Sequence, residues 1–278
     1  KRNLSGMEYA FIAKYGNGSM KIAFLAEFDA LEGMSQKAYN YKEEKDINRT
    51  AGHACGHNLL GTGSLAAALA LKKYIDKHNA DISVYLYGCP AEESGYGKAF
   101  LARDGYFNDL DFALTWHPYD LDALWGDKTL AVKQFFVEFK GKSSHASASP
   151  ELGRSALDAS ELMNIGVNYL REHIDDAARI HYAYHDAGGG SANAVQSYTK
   201  MHYFVRHQSA EKSHQVFERI TTIAKAAALM TETEFRIIND SGCSSFIAND
   251  SLSKIMYEEA KNNKLDIDHE DLEHSKKY

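Results

Sequence analysis

Residues 52–57 read Gly-His-Ala-Cys-Gly-His, which puts one thiol and two imidazoles within six positions. Thiolate sulfur and imidazole nitrogen are good donors for zinc-like ions, and glycine lets the backbone fold tightly enough for Cys55 and His57 to face one point. A buried thiol in a glycine-rich turn, with incidental histidines, accounts for the same run. Glu92-Glu93 follows Cys89-Pro90. Adjacent carboxylates at a strand end point in different directions, so one can ligate an ion while its neighbour holds a water. Taken alone, the pair is explained more simply as acidic residues attracted to a helix N-terminus. His117-Pro118 forms a third element, although a single His after a strand is more often structural. Asp29 ends an apolar run and could either ligate an ion or orient a His ligand. Together these segments supply sulfur, nitrogen and oxygen donors, and the conjunction points to a metal centre more strongly than any one member. A single structural zinc at Cys55 and His57 is a weaker alternative, because it leaves Glu92, Glu93 and His117 without a purpose.

Donors so far apart in sequence need a scaffold that gathers them. Residues 22–28 (IAFLAEF) read as a buried strand ending at Asp29. A polar, charged loop is expected over residues 35–50. From Leu59 the small and apolar residues fit a buried helix, with Lys72 and Lys73 near its end, where the helix dipole favours cations. Residues 82–87 read as a second strand and 112–116 as a third short apolar run. Each reactive segment therefore lies just past a strand end or opens a helix. In open α/β sheets, ligands bind at the carboxyl ends of strands.

From about Val132 the pattern changes. Residues 132–140 suit a strand, 152–174 an amphipathic helix, 178–185 and 194–205 two strands, 209–230 a second helix and 233–238 a last strand. The order β-α-β-β-α-β is the ferredoxin-like split unit, here inserted into the α/β domain, with a helix at 251–262 returning to it. The expected domains are 1–130, 131–240 and 241–278.

Bulk properties exclude several classes. A formal net charge of −7 argues against general nucleic-acid binding, which needs clustered Lys and Arg. With 44% hydrophobic and 25% charged residues the chain can pack a core. No run approaches about 18 apolar residues, so no membrane span is expected. Three cysteines do not make a disulfide framework, and a reducing cytoplasm is the expected compartment. The chain opens on Lys-Arg-Asn-Leu-Ser, without an initiator Met or a signal-peptide core, so further residues are expected before Lys1.

The motifs AEFDAL (26–31), GHACGHN (52–58), CPAEES (89–94), WHP (116–118) and GKSSHASASPELGRSALDA (141–159) carry a resemblance over nearly the whole chain. The sequence resembles the metallopeptidase and amidohydrolase family of aminoacylases, carboxypeptidase G, hippurate hydrolase and auxin-conjugate amidohydrolases, and within it the p-aminobenzoyl-glutamate hydrolase type. The resemblance implies a three-layer αβα catalytic domain with a ferredoxin-like α+β lid and dimerisation domain inserted. It implies metal-dependent hydrolysis of an amide bond in an N-acyl amino acid, a dipeptide or a p-aminobenzoyl-glutamate-like substrate. Two divalent ions are implied, Zn²⁺ or Mn²⁺ with Co²⁺ as a further choice, and a homodimer joined through the lid. Cys55 resembles the bridging ligand, and His57, Glu93 and His117 resemble further ligands. Glu92 resembles the general base, and Asp29 a residue that orients a ligand. His145 resembles the histidine that reaches a partner's site to stabilise the oxyanion, while Asn193 and Arg206 stand where the family keeps substrate contacts.

AEFDAL lacks the His of the family's HxD version, which fits the Cys-containing branch. The family also needs a last His ligand far toward its C-terminus. His274 comes too early and in the wrong context, so that ligand and the closing part of the catalytic domain are expected beyond Tyr278. A family-fold protein lacking one ligand could instead be a non-catalytic partner or ligand-binding subunit.

Overall fold

In the computed structural model, which describes residues 1–37, 41–43, 50–126, 128–263 and 268–276, the apolar run before Asp29 is strand β2, Met20–Glu27. It pairs in parallel with β3, Ile82–Cys89, and with the short β4, Phe112–Leu114. A further strand, β1, Phe11–Tyr15, runs antiparallel along β3 and closes the sheet in the order β1-β3-β2-β4. Sequence reading missed β1 because an edge strand buries little, and its residues are half-buried or exposed. An antiparallel edge on a parallel sheet is a common arrangement.

These strands belong to the first of two compact units, Lys1–Leu124 with Ser251–Tyr278; the second is Trp125–Asp250. In the first unit, α1, His57–His78, crosses over between the parallel strands β2 and β3. Its Ala68 and Ile75 pack with Ala26, Val84 and Leu86. A separate cluster joins Leu4, Ala10 and Leu101 to Ala23, Tyr87 and Cys89. Leu101 lies on α3, Gly97–Arg103, which follows the single helical turn α2, Glu92–Gly95. Much of the polar loop expected at 35–50 lies outside the described residues. The stretch from Ser251 carries most of α6, Asp250–Asn262, and α7, His269–Ser275, neither of which has a buried residue.

The second unit runs β5, Ala131–Lys140; α4, Ala156–Leu170; β6, Arg179–Asp186; β7, Tyr198–His207; α5, Ala210–Thr231; β8, Glu234–Cys243. The sheet order is β6-β7-β5-β8, with every neighbouring pair antiparallel, which is the connectivity of a split βαββαβ unit. Period-2 burial along β5 and β7 turns Phe135, Val137, Phe139, Met201, Tyr203 and Val205 into one core with Met163 and Val167 of α4 and Ile220 and Ala224 of α5. Both helices start where a serine accepts a backbone N–H, Ser155 from Asp158 and Ser209 from Lys212. The first helix is therefore shorter than the 152–174 expected, because Arg154 is held in a bridge to Lys142 before the cap. Strand β7 starts at Tyr198 rather than 194, because the residues before it pair with the segment at His145.

None of the three cysteines forms a disulfide. Among the described residues, no helix is long and apolar enough to cross a membrane.

Candidate metal centre

The carboxyl ends of β2, β3 and β4 and the amino end of α1 converge in the first unit, and each contributes donors there. Past β2, Glu27 and Asp29 are followed by a bridge between Leu31 and Gly52 that brings the Cys55 loop back to the sheet. The loop enters α1 at Gly56, whose φ of +77° is natural for glycine and strained for other residues. A side chain there would also meet the Pro118 ring at 2.9 Å. Gly56 thus seats the Cys55–His57 turn directly against the His117–Pro118 segment. One turn later, a Cβ at Gly61 would lie 2.9 Å from the carbonyl oxygen of Glu27, so α1 approaches β2 as closely as backbone allows. The Trp116 indole donates to the Leu60 carbonyl at 3.2 Å and ties the end of β4 to the same helix.

Past β3, Ala91 and Tyr96 both take left-handed conformations, with φ of +61° and +58°, on either side of the Glu92–Gly95 turn. Such a conformation costs a non-glycine residue roughly 1–2 kcal/mol. Backbone strain of this kind gathers at functional sites, where surrounding structure enforces it. Here it aims two consecutive carboxylates at α1.

Asp29 holds the assembly together. Its Oδ1 accepts from His57 Nδ1 at 3.0 Å and its Oδ2 accepts from the Glu93 amide at 2.9 Å. A carboxylate only accepts, so His57 Nδ1 carries the proton and the Nε2 lone pair is left to bind an ion. The same logic applies to His117, whose Nδ1 donates to the Pro118 carbonyl at 2.8 Å and leaves Nε2 3.3 Å from Cys55 Sγ.

Two donor sets meet at fully buried His57. Cys55, His57 and His117 form one, and Glu27, His57 and Glu92 form the other, the donor atoms of each lying within 4.8 Å of one another. His57 Nε2 is 3.0 Å from Glu27 Oε2 and 3.9 Å from both Glu92 Oε2 and Glu93 Oε1. His57 Nε2, Glu27 Oε2 and Glu93 Oε1 are buried and have no hydrogen-bond partner among the described residues. Buried polar atoms are normally satisfied, and two unpartnered carboxylate oxygens within 3.9 Å of an unpartnered imidazole nitrogen fit a bound cation. Burial, reinforced by Glu93, Glu92 and Glu27, pushes the Cys55 thiol up to about 11. Burial and the neighbouring Glu27 raise Glu92 above the ordinary carboxylate range. The donor mixture of thiolate, imidazole and carboxylate fits zinc-like ions.

The structure thus brings Cys55, His57, Glu92, Glu93, His117 and Asp29 together. Sequence reading missed Glu27, although the signal was present: it stands two residues before Asp29, where HxD sequences carry their His.

In the second unit, the His145 segment bridges to Ala194. Asn193 Nδ2 lies 3.3 Å from His145 Nε2, and His145 Nδ1 accepts from the amides of Ser147 and Ala148 at 3.3 and 3.2 Å. Arg206 stands elsewhere, near the far end of β7, with its guanidinium over the Phe204 ring at 5.4 Å. Along a strand rising ~3.3 Å per residue, Arg206 is roughly 26 Å from Tyr198, the end of β7 nearer Asn193. Within this unit, His145 and Asn193 form a pair that Arg206 does not join.

A cluster of thiol, imidazole and carboxylate donors at the carboxyl ends of a parallel sheet defines the class of α/β proteins that assemble metal sites from strand-end ligands. The chain belongs to peptidase family M20/M25/M40, whose sequence profile matches residues 23–270. It is 45% identical over 257 residues to one of the subunits of p-aminobenzoyl-glutamate hydrolase of Escherichia coli K12, covering 92% of this chain and 53% of that protein. The chain therefore spans about half the length of this curated relative. Among solved structures, the fold is similar to an aminobenzoyl-glutamate utilization protein from Klebsiella pneumoniae, with TM-score 0.67, 23% identity, and coverage of 92% of this chain and 60% of that one. It is also similar to a dinuclear metal-binding peptidase of family M20 from Bacillus subtilis, with TM-score 0.61, 18% identity, and coverage of 92% and 67%.

Proposed function

We propose that the chain carries most of a two-cation centre for hydrolysing an amide bond in an N-acyl amino acid, a dipeptide or a p-aminobenzoyl-glutamate-like substrate. The observation that carries the reading is the convergence of unpartnered buried donors on His57. The 45% identical relative, named for hydrolysis of p-aminobenzoyl-glutamate, makes that conjugate the first substrate to try.

Cys55, His57, Glu93 and His117 hold the cations. Bound Zn²⁺, Mn²⁺ or Co²⁺ polarises the scissile carbonyl and lowers the pKa of water toward about 7. The two glutamates divide their roles by environment. Glu93 has an oxygen that is buried and unsatisfied, which suits a ligand. Glu92 is the more exposed of the pair, at 33% against 19%, so it can reach water and substrate. Its raised pKa suits a general base that takes the proton of the attacking water and delivers it to the leaving nitrogen. Asp29 keeps the His57 ring and the Glu93 backbone in place. His145, steadied by Asn193, stabilises the oxyanion, a contribution of about 3 kcal/mol for one good donor, and Arg206 receives a substrate carboxylate in a forked geometry. His145 acts across a homodimer formed through residues 131–240, which serve as the lid. No disulfide joins the three cysteines, which suits a reducing compartment.

An activity panel of such amides with Zn²⁺ or Mn²⁺, run on a chain extended to family length, tests the reading. Glu92→Gln is expected to keep the cations and lose turnover by at least ~100-fold. Undiminished turnover would remove Glu92 from the mechanism. Two bound cations with no turnover on any substrate would favour a non-catalytic partner protein.

A further inference from the structure

We propose that Glu27 is an additional cation ligand, sharing an ion with His57. The inference rests on the two-cation reading and adds a carboxylate that the family motifs did not nominate.

Three observations carry it. First, Glu27 is a charged residue at the end of a buried strand, only 7% exposed, and His57 is fully buried. Second, Glu27 Oε2 lies 3.0 Å from His57 Nε2, yet neither atom makes a hydrogen bond, to the other or to any described group. With His57 Nδ1 donating to Asp29, the Nε2 of a neutral ring presents its lone pair beside Glu27 Oε2. Two donors at ~2.0–2.2 Å from one ion stand roughly 3.0–3.5 Å apart, so this is the spacing of adjacent ligands in one coordination sphere. Third, the other carboxylate oxygen, Oε1, is already taken by the Lys98 ammonium from α3. Lys98 thereby fixes the carboxylate so that only Oε2 is presented inward, as partners behind a ligating carboxylate commonly do.

A purely structural reading, in which Glu27 exists to pair with Lys98, explains Oε1 and leaves Oε2 buried and unsatisfied beside a second unsatisfied atom. A ligand role satisfies both with one ion. It also gives the glutamate that replaces the motif's His a function.

Cation binding tests this directly, without reference to turnover. The chain, Glu27→Gln and the double variant Glu27→Gln/Lys98→Met are titrated with Zn²⁺ and Mn²⁺ by calorimetry, with ion content measured after dialysis. The double variant removes both members of the ion pair, so no unpaired Lys98 charge is left behind, and circular dichroism without metal checks its fold. The expected result is that both variants lose affinity for one ion by about 10–100-fold while binding at Cys55 persists. If the unaltered chain binds no ion, the two-cation reading itself fails. If the chain binds and both variants bind as well as it does, Glu27 is only the partner of Lys98 and the proposal is overturned. Loss in the single variant alone would also overturn it, by tracing the effect to the unpaired lysine.

Discussion

Removing the acceptor character of one oxygen of Asp29 should cost the centre its geometry before it costs the fold. Asp29 accepts from His57 Nδ1 with one oxygen and from the Glu93 amide with the other, at 3.0 and 2.9 Å. In Asp29→Asn one of those oxygens becomes an NH₂ group, and two donors then face each other. If the amide oxygen stays on His57, the Glu93 amide is left unpaired and the α2 turn relaxes outward. If it stays on Glu93, the new NH₂ faces His57 Nδ1, which keeps only the Asp29 main-chain carbonyl at 3.1 Å as acceptor, and the ring loses its orientation toward an ion. An unsatisfied buried donor costs about 1–3 kcal/mol, and loss of a ligand-orienting partner typically weakens metal affinity about 10–100-fold, which is roughly 1.4–2.7 kcal/mol. The two scales agree. Calorimetric titration with Zn²⁺ should therefore show a 10–100-fold weaker Kd, with the metal-free circular dichroism spectrum unchanged. Retention of the parent affinity in Asp29→Asn would show that neither the His57 orientation nor the α2 turn is set by this carboxylate.

Other perturbations have equally definite outcomes. The metal-free chain should alkylate slowly at Cys55 with iodoacetamide until the pH nears about 11, because burial and the adjacent glutamates favour the thiol; a rate that saturates near the ordinary thiol value would contradict this. The folded state holds that proton more tightly than the unfolded chain, so stability is present below the ordinary thiol pKa and declines as pH rises toward about 11, which denaturant melts at stepped pH will register. Met163 is fully buried in the second unit's core, and Met163→Ala should destabilise that unit by about 2–5 kcal/mol in urea, leaving cation affinity in the first unit untouched; a loss of affinity there would mean the two units do not behave separately.

Strong period-2 or helical patterning made most elements readable, and edge or capping effects hid the rest. Strands β5 and β7 were legible because their alternate residues enter one core. The helix after β5 was overextended because its apolar spacing continues past the serine that caps it and past the bridge holding Arg154. The last strand was cut short at residue 238, whereas β8 continues to Cys243 through a polar stretch paired with β5. Its ladder carries a register shift opposite Gln134 and Phe135, and such a shift breaks the alternation that sequence reading relies on. At the centre, Cys55, His57, Glu93 and His117 were legible because their residue types are rare in combination. Glu27 was passed over, since a glutamate inside AEF looks like a solvent-facing position of a strand, although its place two residues before Asp29 was a signal, and the three-dimensional meeting with His57 shows it turned inward.

That inward turn bears on why the centre folds at all. Four carboxylates, those of Glu27, Asp29, Glu92 and Glu93, gather around neutral-capable His57, and among the described residues Lys98 is the one lysine paired with them. Grouping like charges at partly buried positions opposes folding, since each carboxylate raises the free energy of ionising the others; burial first, and the neighbouring carboxylates second, raise Glu92 and the Cys55 thiol. The left-handed backbone at Ala91 and Tyr96 adds to it. Hydrophobic packing of α1 on Ala26, Val84 and Leu86 holds the donors in place against this repulsion. On the two-cation reading, a bound cation reverses the sign of the balance. It turns the like charges into ligands and supplies the partner that Glu27 Oε2, Glu93 Oε1 and His57 Nε2 lack. On the two-cation reading, binding and folding free energy would be coupled in this way.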